Sequence, residues 1–175
     1  MTFLNLLKFN WVIHMQITLA NIADSKELSY LKKRIWETTY RGIYSDEKID
    51  NYDYDLRKEK FKELIKSEDQ EVYVCKDNNK IIGYMIVGVP LHGGLAGYDL
   101  VINDLGIDVS YRGKGLGKKF FEIVKNKNKK FFNCCNYYNY QAQKFYEKMG
   151  GKVVKTELDE TSKEYSQLYY VYEEE

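Results

Sequence analysis

The stretch Ser110-Tyr111-Arg112-Gly113-Lys114-Gly115-Leu116-Gly117-Lys118-Lys119 sets three alternate glycines and four cations between two apolar runs of different period. Residues 100–109, before it, are rich in Val, Ile and Leu and read as a strand. Residues 116–124, after it, place Leu116, Phe120, Phe121 and Val124 on one face of a helix. Gly115 and Gly117 leave no side chain between the backbone and a ligand. The amides running from Gly113 to Lys118 can therefore point at an anion, and the dipole of the following helix adds to the attraction. Arg112, Lys114 and Lys118 add charge, so the segment reads as a phosphate cradle.

A glycine-rich turn between strand and helix is also a common tight connection, and spacing has to separate the candidates. The P-loop needs a glycine five residues before its Gly-Lys pair. Arg112 stands there, and Lys119 occupies the position of the magnesium-binding Ser or Thr. The dinucleotide fingerprint needs two residues between its second and third glycines, but Gly115 and Gly117 have one between them, and no acidic residue ends a second strand about twenty residues later.

Arg112-x-x-Gly115-x-Gly117 resembles the acyl-CoA-binding pattern of the GNAT N-acetyltransferase superfamily. A second match lies downstream in Asn139-x-x-Ala142-x-x-Phe145-Tyr146-Glu147-Lys148-Met149-Gly150, similar to the segment that holds the pantetheine arm in those enzymes. The resemblance spans roughly residues 16–172, and its specific part is 99–151. It implies an α/β fold, with a central mixed, mostly antiparallel sheet of six or seven strands flanked by about four helices. It also implies acetyl-CoA as cofactor, direct attack by an amine without a covalent enzyme intermediate, and no metal.

The element pattern agrees. A strand at 16–20 leads to a helix capped near Asp24 or Ser25, with Leu28, Leu31, Ile35 and Trp36 at helical spacing and a stop near Gly42. A second helix follows at 53–66. Strands at 71–76 and 81–89 flank the hairpin turn Asp77-Asn78-Asn79-Lys80. After the cradle helix come a strand at 130–136, a helix at 141–149 stopped by Gly150-Gly151, and strands at 152–158 and 167–172. This order makes a mixed sheet with helices on both faces.

At 175 residues, 44% hydrophobic and 30% charged, the chain fits one globular domain over 15–175. Residues 1–14 are apolar around Lys8, too short to span a membrane and without a small-residue cleavage site. They read as an extension upstream of the native start; the rival reading is a packing arm at a homodimer interface. Three cysteines make no disulfide framework and suit a reducing cytosol. Cys134 and Cys135 lie in a strand-like run and Cys75 in a hairpin, with no histidine patterned nearby, so core or edge roles outweigh a nucleophilic one. The net charge of +1 hides an asymmetry: eight cations against Glu122 over 112–130, and five anions against Lys48 over 44–55. The basic run without interleaved exposed aromatics argues against nucleic acid as a partner.

On the resemblance, Tyr146 donates a hydrogen bond or proton to the departing thiolate, and Asn139 orients the pantetheine or caps a helix. The amides near Ile107, Asp108 and Val109 polarise the thioester carbonyl. Asp104 and Asp99 are the candidate bases, with His92 a third option. The segment holding Trp36, Tyr40 and Tyr44 resembles the acceptor wall of members acting on small molecules or peptide N-termini. Its aromatics, with Asp46, Glu47 and Asp50 beyond, suit a cationic amine. An acyl-CoA-binding sensor without turnover is the competing function. If residues 1–14 are an extension, deleting them leaves the melting temperature and acetyl-CoA affinity at parental values; a large drop in a thermal melt would instead identify a packed arm.

Overall fold

The computed structural model of the protein describes residues 16–128 and 130–173; the proposed 1–14 extension lies outside them. Seven strands form one sheet in the order β1-β2-β3-β4-β5-β7-β6. They are β1 (Ile17–Leu19), β2 (Gln70–Asp77), β3 (Lys80–Gly88), β4 (Val101–Ile107), β5 (Lys130–Asn136), β6 (Lys152–Glu157) and β7 (Gln167–Glu173). Every neighbouring pair is antiparallel except β4 with β5. The helices are α1 (Ser25–Thr39), α2 (Asp46–Asp50), α3 (Tyr54–Lys66), α4 (Leu116–Lys127) and α5 (Tyr140–Lys148). This is the architecture the sequence implies. The short α2, begun by Ser45 accepting from the Lys48 amide, is the one helix not anticipated among the described residues.

Both faces of the sheet are covered, which is why β2 and β3 read as nearly unbroken apolar runs. In β2, Val72 and Val74 meet Leu28, Leu31, Ile35 and Phe61 of α1 and α3. The alternate residues Tyr73 and Cys75 meet Phe120, Phe121 and Val124 of α4. The β2–β3 turn puts Asn78 at φ 48° and Asn79 at φ 65°, the left-handed pair that a two-residue hairpin requires and that asparagine tolerates.

Two irregularities in β4 shape everything that follows. Ile86 pairs with Asp104 but Val87 pairs with Ile102, so Asn103 is an extra residue bulging from the ladder. Its carboxamide holds the bulge, donating to Gln70 Oε1 (3.0 Å) and the Val89 carbonyl (2.9 Å) and accepting from the Leu91 amide (3.0 Å). Further along, β4 meets β5 only at Val101↔Phe132 and Ile102↔Asn133. Beyond that point β4 diverges from β5, which stays paired with β7 along its whole length.

The strand expected at 100–109 therefore ends at Ile107. Asp108 terminates it by accepting from the Ser110 amide at 3.1 Å and starting a 3₁₀ turn, Val109–Tyr111. Gly106 lets α1 approach β4 closely: a Cβ there would lie 2.5 Å from the Tyr84 ring and 2.7 Å from Ile35 Cδ1. Gly106→Ala is expected to destabilise the fold by about 1–3 kcal/mol through overpacking, read as a lowered midpoint in urea at unchanged slope.

Candidate active site

The parting of β4 from β5 opens a cleft of about 440 Å³, walled by the end of α1, by β4, by the glycine turn and by α5. At its outer end α4 begins at Gly115, which has φ +86° and no side chain to cap the helix. Gly113, at φ +72°, and Gly115 both face open space where a Cβ would stand. The first amides of α4 have no partner within the helix, as an anion cradle requires. Gly117 is needed for a different reason, since a Cβ would press within 3.0 Å of Phe145 and 3.2 Å of Ile107. The Leu116 side chain is buried in the core with Phe120 and Phe121.

Of the cradle cations, Lys118 lines the cleft and also sits 3.5 Å from Glu122. Lys114 packs its ammonium over the Tyr111 ring at 4.9 Å. Arg112 does something the sequence did not disclose. Its guanidinium donates to the Ile107 carbonyl (3.0 Å), Gln141 Oε1 (3.0 Å) and Thr39 Oγ1 (2.8 Å). It therefore braces α1 to α5 across the cleft, and burial lowers its pKa from the ordinary arginine value.

The expected carbonyl-polarising amides need correction. Asp108 donates its amide to the Ile82 carbonyl at 2.9 Å, so alternation along the antiparallel ladder turns the Leu105 and Ile107 amides away from β3, toward the gap. The Asp108 side chain is also taken, by Ser110 and by Arg34 Nε at 3.2 Å. Burial works to raise that carboxyl, but these two donors outweigh it and hold it below the usual range. Val109 lies beyond the strand in the 3₁₀ turn and is exposed. Ile107 remains as the donor of the expected set whose amide faces the cleft, and Leu105 joins it.

Tyr146 on α5 lines the cleft and is buried, its ring against Phe145 at 5.3 Å and Tyr170 at 5.7 Å. Burial pushes its hydroxyl well above the ordinary tyrosine pKa, and the neighbouring Cys135 pushes the same way. Asn139 caps α5 by accepting from the Ala142 amide at 3.1 Å. From the opposite wall Tyr40 reaches into the same cleft, stacked on Tyr44 at 4.5 Å. Burial lifts the Tyr40 hydroxyl to about 12, Asp104 adds to the rise, and Asn139 and Arg112 oppose it. Trp36 does not line the cleft; it is buried with Ile49 and Tyr52 and supports Tyr44 edge-on at 5.4 Å.

The bulge at Asn103 turns Asp104 onto the α1 face; Asp104 directly precedes Leu105, which lines the cleft, but does not itself line it. Asp104 Oδ2 accepts from Tyr84 Oη at 2.9 Å and from the Lys32 ammonium. Asp99 is exposed ahead of β4 and is not brought to the cleft, and His92 is exposed on the preceding loop. Asp46 and Asp50, expected to attract a cationic acceptor, are both held by the Arg41 guanidinium, Asp46 at 2.8 Å. The Cys75 and Cys135 thiols are raised by burial to about 11 and 12, the reverse of an activated nucleophile. Lys32, Tyr84, Thr39 and Gln141 were missed. Only Lys32 left a trace, as a cation at helical spacing from Leu28 and Trp36 on the sheet-facing side of α1.

A family model described as the acetyltransferase (GNAT) family matches residues 33–151. The chain belongs to that family. Family members use acetyl-CoA, so the protein is an acyl-CoA-dependent acetyltransferase, and the glycine turn and uncapped helix start at the cleft fit the diphosphate of such a cofactor. Among solved structures, the fold resembles a PaiA N-acetyltransferase from Thermoplasma acidophilum in complex with coenzyme A. The two share 22% identity over 91% of this chain and 99% of that one, with a TM-score of 0.74. It also resembles PH1933 from Pyrococcus horikoshii OT3 (21% identity, 93% and 99% covered, TM-score 0.66). A third likeness is the Escherichia coli ribosomal-protein-S18-alanine N-acetyltransferase (14% identity, 90% and 95% covered, TM-score 0.63). No curated protein matches the sequence.

Gly115→Asp places a carboxylate at the cradle, while Gly115→Ala tests the strain of φ +86° alone. The aspartate variant is expected to bind acetyl-CoA at least about tenfold more weakly than the alanine variant in calorimetry, a difference of about 1.4 kcal/mol. Equal affinities would place the diphosphate elsewhere.

Proposed function

We propose that the protein transfers the acetyl group of acetyl-CoA to the nitrogen of a primary amine, on a small molecule or a peptide, by direct attack. Bound acetyl-CoA supplies a thioester carbon open to a nucleophile. The observation that carries the reading is the arrangement of one cleft, with an anion cradle at its mouth and Tyr146 on its wall, and with the Asp104 carboxylate adjoining its lining residue Leu105.

Each group has a defined task. The amides of Gly113, Gly115, Leu116, Gly117 and Lys118 hold the diphosphate, and Arg112 keeps the two walls at a fixed spacing. The Ile107 and Leu105 amides, facing the gap, stabilise charge developing on the carbonyl oxygen. Asp104 takes a proton from the amine through Oδ1, the oxygen not engaged by Lys32 and Tyr84. Tyr146 keeps its proton at neutral pH and offers it to the departing sulfur. Its raised pKa favours hydrogen bonding over full transfer. Tyr40 forms the aromatic wall beside the acceptor, backed by Tyr44 stacked on it.

Release of free thiol from acetyl-CoA on addition of amines tests transfer against the alternative of a binding protein without turnover. Tyr146→Phe removes one hydroxyl with little change in volume. It is expected to lower kcat about tenfold to a thousandfold while changing acetyl-CoA affinity by less than about threefold, the pattern of an interaction strongest in the transition state. Unchanged kcat, with chemistry shown to be rate-limiting, removes Tyr146 from the role.

A further inference from the structure

We infer that the acceptor side of this cleft selects an amine with no second positive charge, the α-amine of an amino acid or peptide, and that Lys32 is the residue that turns polycations away. The inference rests on the transfer reading and deepens it.

A site for a polyamine or a lysine-like amine offers open carboxylates or open aromatic faces, because those are what attract an ammonium group. Here the protein's own cations already hold most of them; Glu47, exposed on α2 between Asp46 and Asp50, is the acid of that run with no ion pair among the described residues. Asp104, next in the chain to the cleft residue Leu105, is paired with Lys32 through the oxygen that also accepts from Tyr84. Glu164, on the connection between β6 and β7, is paired with Lys48 of α2. Asp46 and Asp50 share Arg41, and Glu37 pairs with Lys33 at 3.3 Å.

The rings behind the cleft, Tyr44, Trp36 and Tyr52, are covered in the same way, whereas Tyr40, which lines the cleft, is stacked on Tyr44. Lys48 lies 4.7 Å from the centre of Tyr44, and Arg57 lies 4.9 Å from Trp36. Lys33 and Arg57 approach Tyr52 at 5.9 and 5.8 Å. Among the described residues, no carboxylate lies within ion-pair distance of Arg57, so the wall behind Tyr44 carries a cation in excess. Burial depresses the Lys48 ammonium and Arg57 depresses it further.

A second ammonium on the acceptor would thus meet repulsion, whereas a neutral or anionic companion group would not. The amine itself must also arrive uncharged to attack. At pH 7 about one α-amine in ten is neutral, against roughly one lysine-like amine in 2,500. A carboxylate already neutralised by Lys32 draws in an amine that is often neutral with less penalty than one that is nearly always charged. Lys32 is the decisive residue because removing it leaves Asp104, next to the cleft residue Leu105, a carboxylate without a counter-ion.

Calorimetry with spermidine and with glycylglycine on the parent, Lys32→Met, Lys32→Gln and Lys32→Arg tests this without requiring turnover. Spermidine is expected to bind the methionine and glutamine variants at least tenfold more tightly than the parent. Glycylglycine should change less than threefold, and Lys32→Arg should behave as the parent. Two variants of different polarity, each checked by a thermal melt, guard against a folding defect in one. Spermidine affinity unmoved in both folded variants, or spermidine binding the parent more tightly than glycylglycine, overturns the inference. In thiol-release assays at pH 7 the parent's kcat/KM should favour glycylglycine over spermidine by at least tenfold, with the ratio collapsing in Lys32→Met. A parent that binds acetyl-CoA yet releases no thiol with either amine counts against the transfer reading, and the calorimetric comparison still decides this one.

Discussion

A single extra residue in β4, held by the carboxamide of Asn103, governs the arrangement of this protein's cleft. A regular strand would put Ile102 and Asp104 on the same face of the sheet. The bulge sends Ile102 toward α4 and Asp104 toward α1. Directly after it β4 diverges from β5, and the amides that would have continued the parallel ladder face a gap. The carboxylate, the amides turned to the gap and the cleft itself are thus consequences of one local irregularity. Three hydrogen bonds to Gln70, Val89 and Leu91 hold that irregularity in place.

The walls of the gap are kept apart and together by different means. Gly106 brings α1 against β4 at a distance no side chain would allow, and Gly117 sets α4 tightly against Phe145. Arg112 then ties the end of α1 to the start of α5 through Thr39 and Gln141. A cation chosen by sequence pattern as a phosphate ligand therefore acts here as a cross-brace. Its charge still lies beside the cradle, but its fork of donors serves protein acceptors. Around this frame the tyrosine hydroxyls are buried and kept protonated, suited to donating hydrogen bonds and unsuited to acting as bases.

The glycine turn was legible in the sequence because its geometry is local. Glycines that must adopt positive φ, and a helix that must begin without a side-chain cap, are written in consecutive residues from Gly113 to Gly117. The same holds for the Asn78-Asn79 turn, for the apolar periods of the helices and for the second motif from Asn139 to Gly150. These local signals are enough to order the elements along the chain, and the sheet follows them.

Only the tertiary structure decided what each polar group faces. Strand parity could not orient Asp104, because a bulge is stabilised by partners 14 and 33 residues away in the chain. The pairing of Lys32 with Asp104 spans 72 residues and that of Arg112 with Thr39 spans 73. Asp46 and Asp50 read as an open acidic patch until Arg41 folds back on them. A sequence determines which charges a chain carries and which backbone conformations its turns accept. Whether a charge is open to a ligand or already neutralised depends on contacts between distant elements, and those exist only once the sheet has formed and α1 has docked on it.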